Sequence, residues 1–286
     1  MADLIAALQA AAGVRDEGAT VAYVASQTAD SITSIDISDP SNLTQLDSFT
    51  NANLDGPLGV ALDLTNQVAY VASGTASADS ITSIDISDPS NLSELDSFTN
   101  ANLDGAFGIA LDLTNQVAYV VSTFSDSITS IDISDPSNLT QLDSLSNANL
   151  DAARSIALDL TNEVAYVASG IADSITSIDI SDPSNLTQLD SLSNANLEFT
   201  RNIALDPTNQ VAYVASQTAA SITSIDISDP SNLTELDSLS NANLNGAHGV
   251  ALDLTSQVAY VGSSGADSIT SIDISDPSNL TELDSF

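Results

Sequence analysis

A single fourteen-residue stretch, Ser31 to Thr44 (Ser-Ile-Thr-Ser-Ile-Asp-Ile-Ser-Asp-Pro-Ser-Asn-Leu-Thr), recurs almost unchanged six times and limits what this chain can become. Its Asp-Pro pair falls at Asp39-Pro40, Asp88-Pro89, Asp135-Pro136, Asp182-Pro183, Asp229-Pro230 and Asp276-Pro277, so the period is 47 residues after a first interval of 49. A fixed period of this length belongs to repeat architectures, in which one supersecondary unit is copied and each copy buries the face of its neighbour.

Each copy carries four apolar runs, clearest in the second repeat: Gly59–Leu64 (run A), Val68–Ala72 (B), Ser80–Ile86 (C) and Leu92–Phe98 (D). Period-two alternation and β-branched residues predict strands. Thr65-Asn66-Gln67 joins A to B. Ser87-Asp88-Pro89-Ser90-Asn91 joins C to D, where proline presets φ and the Asp and Asn side chains close Asx turns. Four short antiparallel strands per unit, six times over, predict an all-β fold, a six-bladed β-propeller of 47-residue four-stranded repeats. The blades are anchored at Tyr23, Tyr70, Tyr119, Tyr166, Tyr213 and Tyr260, one strand-B position that reads as core or inter-blade packing.

Residues 1–13 stand outside the pattern. Asp3 as a cap, Leu4, Ile5 and Leu8 as an apolar stripe, intervening alanines and Gly13 as a stop predict a short N-terminal helix, with the propeller occupying 14–286. A helix of about ten residues is marginal alone and has to dock on the array or on another subunit. Aligned on Tyr23, the first repeat offers Arg15, Asp16 and Glu17 where the others have Leu-Asp-Leu, so blade one is expected to have a damaged or missing strand A.

Charge excludes whole classes of partner. The chain has three Lys+Arg, none of them Lys, against 39 Asp+Glu, a formal net charge of −36. Such a field repels nucleic acid and anionic membranes. No run approaches the ~20 apolar residues that span a bilayer, and the N-terminus lacks the basic n-region of a secretory signal. With no cysteine there is neither a disulfide framework nor a thiolate metal site to read.

The Ala-Tyr-Val of run B followed by Ile-Asp-Ile-Ser-Asp-Pro-Ser-Asn, as at Tyr70 and Ile84 to Asn91, resembles the LVIVD-repeat β-propellers and, more loosely, the YVTN type. The resemblance covers every repeat, from about Val21 to Phe286, and implies a propeller of the kind found in microbial surface or extracellular proteins. It attaches no single activity, and a fold alone does not specify one.

Where near-identical copies disagree, the disagreement carries information. In an antiparallel blade the B–C and D–A loops share one face, and that face holds nearly all the non-repeating chemistry. One column at the start of run A reads Leu58, Phe107, Arg154, Arg201 and His248, so two of the three arginines and the only histidine share it. Phe124 and Phe199 fall on the same face, as does the two-residue insertion of blade two within Gly74 to Ala78. These seven residues (Leu58, Phe107, Phe124, Arg154, Phe199, Arg201, His248) predict a ligand or partner surface at the mouth of the central channel, with Arg154 and Arg201 offering bidentate contacts to an anion or carboxylate. The competing reading has the arginines neutralising Asp151 and Glu198.

Other motifs carry less. Asp36, Ser38, Asp39 and Asn42 are hard oxygen ligands of the type calcium takes, but at turn spacing rather than EF-hand spacing. The expectation is no cofactor, with calcium as the alternative. Asn42-Leu43-Thr44 is a glycosylation sequon that the turn alone explains. One histidine among many serines without a serine motif predicts no catalytic residue. The sequence thus reads as a non-catalytic interaction or structural module whose partner is a protein or an anionic small ligand or glycan. Self-association through residues 1–13 and blade one, as a subunit of a surface layer, filament or particle, is the alternative, and an enzyme with a site at the channel mouth is the third reading. The resemblance favours an extracellular or particle-surface location.

Overall fold

The computed structural model describes residues 9–14, 20–74 and 79–286, with side chains described from residue 20 onward. Two compact units, Met1–Ser144 and Leu145–Phe286, divide the chain, the boundary falling inside β12. The first carries β1–β4 (Gln9–Val14, Thr20–Ser26, Ser31–Asp36, Thr44–Thr50), β5–β8 (Pro57–Asp63, Val68–Ser73, Ser80–Asp85, Ser93–Thr99) and β9–β12 (Ala106–Asp112, Val117–Ser122, Ser127–Asp132, Thr140–Ser146). The second carries β13–β16 (Ala153–Asp159, Val164–Ser169, Ser174–Asp179, Thr187–Ser193), β17–β20 (Thr200–Asp206, Val211–Ser216, Ser221–Asp226, Thr234–Ser240) and β21–β24 (Ala247–Asp253, Val258–Ser263, Ser268–Asp273, Thr281–Ser285). Each set of four is one sheet whose strands neighbour one another in chain order, and these repeated sheets are the blades of a β-propeller.

The expected N-terminal helix is corrected over its described part. Gln9–Val14 is a strand, β1, paired antiparallel with β2 from Gln9 opposite Ala25 to Val14 opposite Thr20. Blade one therefore has a strand A, drawn from upstream of the residues that align with Leu-Asp-Leu. An uncovered edge of β2 would leave a row of backbone donors and acceptors unpaired, and pairing it outweighs the helix preference of alanine. Residues 1–8 and Arg15, Asp16 and Glu17 lie outside the described residues.

Alternation along strand B divides each blade into two apolar faces. In blade two, Val68, Tyr70 and Ala72 point toward blade three, where Ala118, Val120 and Ile131 receive them. Val164, Tyr166 and Ala168 meet Ala212, Val214 and Ile225 in the same way one unit on. Strands β6, β10, β14 and β18 are consequently buried at every position, as expected of strands covered on both faces. Tyr70, Tyr119, Tyr166 and Tyr213 are each 0% exposed, in keeping with their reading as packing residues.

Polar seams fix the register between blades. Ser177 Oγ donates to the Pro230 carbonyl at 2.6 Å, and the Leu233 N–H donates to Asp190 Oδ2 at 2.7 Å. Ser224 with Pro277 and Leu280 with Asp237 repeat both bonds at the same distances. The Asp-rich corners hold themselves: Asp36 Oδ1 accepts from the Ser38 hydroxyl at 2.6 Å and N–H at 2.9 Å, and these bonds keep its carboxyl below the usual range. Among the described residues, no group of three His, Cys, Asp or Glu is placed to hold a metal ion, and no helix is long and apolar enough to cross a membrane.

Candidate functional site

The variable column of run A turns out to be a column of β-bulges. Between β13 and β14, Ala153 pairs with Ser169 and Ser155 with Ala168, so Arg154 is the extra residue left out of the ladder. Arg201 is the extra residue between β17 and β18, and His248 between β21 and β22. Leu58 and Phe107 hold the same place in the first unit. A bulge re-aims the side chain it carries, and bulges concentrate beside active sites. Sequence periodicity located the column; only the pairing register reveals why its side chains are free to differ.

Strain accompanies the bulge. Two residues before it the backbone is left-handed in every blade that has the loop: Gly56 (φ 62°), Gly105 (73°), Ala152 (56°), Phe199 (58°) and Gly246 (72°). Glycine fills this position in three blades, as its conformational freedom allows. Phe199 is a bulky residue in a region such residues rarely enter. The loop holds it there: Asn194 caps the 3₁₀ turn Ala195–Leu197, Asp173 Oδ1 accepts the Phe199 N–H at 2.8 Å, and the Phe199 carbonyl accepts from Gln217 N–H at 2.9 Å.

The strain places an aromatic ring among cations. The guanidinium carbons of Arg154 and Arg201 lie over the Phe199 ring at 5.2 and 4.6 Å from its centroid. Arg201 Nε donates to Gln217 Oε1 at 2.6 Å, which fixes the orientation of its fork. Gly170 makes room for the other arginine, since a Cβ there would stand 3.1 Å from Arg154 Nε. Below them, Ser155 and Asn202 tie the three A strands together: Asn202 Nδ2 donates to Ser155 Oγ at 3.2 Å, and Asn202 Oδ1 accepts from Val250 N–H at 3.1 Å.

Electrostatics follow from this crowding. Burial lowers the pKa of Arg154, and burial together with the charge of Arg154 pushes Arg201 down to about 10. Burial, then Arg201 and Arg154, hold His248 below the ordinary imidazole value. The result is a half-buried neutral imidazole beside two cations that disfavour each other. An anion bound by the arginines relieves that repulsion, and a neutral imidazole is in the protonation state that a general base needs.

Of the seven residues singled out from sequence, Arg154, Phe199, Arg201 and His248 form this cluster in the second unit. Leu58 is buried and Phe107 half-buried on the corresponding bulges of the first, and Phe124 is 68% exposed on the B–C loop of blade three. Gln217, Ser155 and Asn202 were missed. Their columns also vary, Gly59, Gly108, Ser155, Asn202, Gly249 being the residue just after the bulge, and that departure from glycine was the available signal.

The profile of the lactonase family of seven-bladed β-propellers matches residues 16–247, and that of the LVIVD repeat matches residues 257–286. The chain belongs to the lactonase family; its described residues build six blades where the family is described by seven. No curated relative matches it. Among solved structures, a protein of Lactobacillus plantarum is 18% identical with a TM-score of 0.80, covering 96% of this chain and 83% of that one. A periplasmic gluconolactonase of Pseudomonas aeruginosa is 12% identical with a TM-score of 0.77, covering 95% and 83%. A Bacteroides fragilis protein provisionally named a 6-phosphogluconolactonase is 12% identical with a TM-score of 0.78, covering 98% and 83%.

Family membership corrects the reading of the chain as a non-catalytic module without enzymatic activity, and it does not favour a layer, filament or particle subunit. That reading rested on the lack of a nucleophile motif. Hydrolysis by an activated water requires none, only a base and a cationic site for developing charge. The comparisons bear out a repeat-built β-propeller and lend no support to a structural, protein-binding or extracellular role.

Proposed function

We propose that this chain hydrolyses a lactone bearing an anionic substituent, using the cluster on the bulges of β13, β17 and β21. The observation that carries the reading is the pairing of Arg154 and Arg201 over Phe199 beside a histidine held neutral. In this mechanism the arginines bind the phosphate or carboxylate of the substrate and stabilise negative charge as it develops on the carbonyl oxygen. His248 takes a proton from water as the water oxygen bonds to the carbonyl carbon. The tetrahedral intermediate collapses by breaking the ring C–O bond, and the imidazolium returns its proton to the departing alkoxide. The product is an open-chain hydroxy acid, and the base is regenerated. Gln217 positions the Arg201 fork and Phe199 spaces the two cations; neither exchanges a proton. The likeness to a gluconolactonase and to a provisionally named 6-phosphogluconolactonase supports the choice of substrates.

The test is the rate of acid release from gluconolactone and from its 6-phosphate, corrected for spontaneous opening, by tag-free protein. A rate above background that favours the phosphorylated lactone is expected. It should fall by at least about a hundredfold in His248→Ala, the scale of a lost general base. In the Arg154→Ala, Arg201→Ala double variant the preference for the phosphorylated lactone should disappear. Wild-type protein giving only the spontaneous rate with both lactones would defeat the proposal.

A further inference from the structure

Asparagine followed by glycine occurs once in this chain, at Asn245-Gly246, on the loop that leads into β21. The counterparts of Asn245 are all acidic: Asp55, Asp104, Asp151 and Glu198. The backbone is nevertheless the same at all five, with Asn245 at φ −59° and ψ 121° and Gly246 at φ 72°, as in the centre of a type II turn. In three of these turns the second residue is latched by an aspartate on the B–C loop of the blade before. Asp30 Oδ1 accepts the Gly56 N–H at 3.0 Å, Asp79 Oδ1 the Gly105 N–H at 3.0 Å and Asp173 Oδ1 the Phe199 N–H at 2.8 Å. In blade five the latching position is Ala220. Its φ of 50° matches the 47° of Asp30 and the 51° of Asp173, so the backbone is kept and the carboxylate is missing. Among the described residues, the Gly246 N–H has no acceptor.

We propose that Asn245 is a site of spontaneous deamidation through a cyclic imide, set free by the loss of this latch. Asparagine is a thermolabile residue, and here its side chain is exposed to water. Attack requires the peptide between residues 245 and 246 to turn until its nitrogen faces Asn245 Cγ. Glycine's freedom in φ permits that rotation, and a hydrogen-bonded N–H resists it. The Gly246 nitrogen loses its proton and bonds to Cγ, the Cγ–Nδ2 bond breaks, and the Nδ2 amide leaves as ammonia carrying that proton. Water then opens the imide at one of its two carbonyl carbons and returns a proton to nitrogen. Breaking the bond to Cγ gives aspartate; breaking the bond to the main-chain carbonyl carbon gives isoaspartate. Aspartate is what the same turn carries in blades two, three and four. Isoaspartate adds a methylene to the main chain beside the Asn245 carbonyl, which accepts the Gly265 and Ala266 N–H groups at 3.0 and 2.9 Å. The inference is independent of the catalytic reading.

The experiment incubates tag-free wild type, Ala220→Asp, Asp55→Asn and the Asp55→Asn, Asp30→Ala double variant at neutral pH and physiological temperature. Peptide mapping by mass spectrometry reads conversion of amide to acid at each position, released ammonia counts it independently, and far-UV circular dichroism checks that the variants fold. Wild type should convert at Asn245 faster than at any other asparagine. Ala220→Asp restores the latch on a backbone already shaped for it and should slow that conversion about tenfold, the weight of one charge-assisted hydrogen bond. Asp55→Asn creates the same dipeptide under an intact latch, so position 55 should convert about tenfold more slowly than Asn245 does in wild type, and adding Asp30→Ala should bring it up to that rate. Conversion of Asn245 no faster than that of the other asparagines would overturn the proposal. So would an unchanged rate in Ala220→Asp, or a rate at position 55 that is the same with and without Asp30, since either would mean that the dipeptide alone sets the reaction. The two latch tests are separate, so a variant that fails to fold leaves the other to decide.

Discussion

Replacing Phe199 by glycine and by alanine separates the backbone cost of its left-handed conformation from the work of its ring. The left-handed region costs a residue with a Cβ about 1–2 kcal/mol, and glycine's greater freedom in the unfolded chain takes back about 0.5–1 kcal/mol. Phe199→Gly should therefore be more stable than Phe199→Ala by roughly 0.5–1 kcal/mol, although glycine is ordinarily the worse residue in a folded loop. Blades two, three and six already run through glycine at this place, at Gly56, Gly105 and Gly246, so the loop accommodates it. Both variants lose two cation–π contacts, at 5.2 and 4.6 Å, of about 0.5–1 kcal/mol each. If those contacts also hold the arginines in their binding arrangement, anion affinity falls about five- to thirtyfold in both variants. Urea unfolding followed by circular dichroism reads the first effect, and inorganic phosphate binding by calorimetry, or KM for the phosphorylated lactone, reads the second. Equal midpoints for the two variants would refute the strain, and unchanged anion affinity would refute the positioning role of the ring.

Three further outcomes follow from the same structure. The single histidine gives one resolved imidazole signal by NMR, and it should titrate below pH 6.5; removing both arginines takes away two depressing charges and moves it upward, so a downward or absent shift would contradict the cluster. Because the fold favours the neutral ring, His248 contributes a stability penalty that grows as pH falls through its unfolded value of about 6.5, and His248→Gln should flatten that part of the pH–stability curve. Gly59→Ala puts a Cβ 2.4 Å from the Phe107 carbonyl oxygen and should cost about 1–3 kcal/mol or more, while Gly249→Ala, with nothing within 4 Å, should be neutral or gain about 0.5–1 kcal/mol; thermal melts of the pair decide it.

Most of the propeller was legible because each structural device is written six times. Run B of repeat two was read as Val68–Ala72 and is the strand Val68–Ser73; run C was read as Ser80–Ile86 and is Ser80–Asp85. A turn residue or an alternation copied at a fixed period cannot be accidental. β1 was illegible for the opposite reason. Gln9–Val14 is alanine-rich and stands outside the repeat, so local propensity pointed to helix, while what decides its conformation is pairing with the hydrogen-bonding edge of the next strand, β2. The candidate site divides along the same line. Arg154, Arg201 and His248 were visible as departures from a copied column, but the bulge beneath them is a property of strand pairing and not of any residue. The column of Gln217 also varies, but its role is defined by the 2.6 Å bond to Arg201, which no sequence pattern shows.

Sixfold repetition also explains why a cationic site sits in so acidic a chain. The acidic residues at the blade corners are spent on the turns that close each blade, with Asp36, Asp179, Asp273 and Asp276 all held below the usual carboxylate range by hydrogen bonds from serines two residues on. Their charge is thus tied to architecture at the A–B and C–D end of the blades. Strands β13, β17 and β21 instead begin at the opposite end, where the loops are released from the repeat, and there Arg154, Arg201 and His248 sit on bulges outside the strand ladder. At that end, the two arginines are a pair of cations against the negative background of the chain. Long-range repulsion slows the approach of an anionic substrate, so the rate of capture should rise with ionic strength until screening reaches the arginines themselves. An optimum in kcat/KM at intermediate salt is the expected signature. A monotonic fall from the lowest salt would mean that the local cations outweigh the net charge of the chain at every distance the substrate crosses.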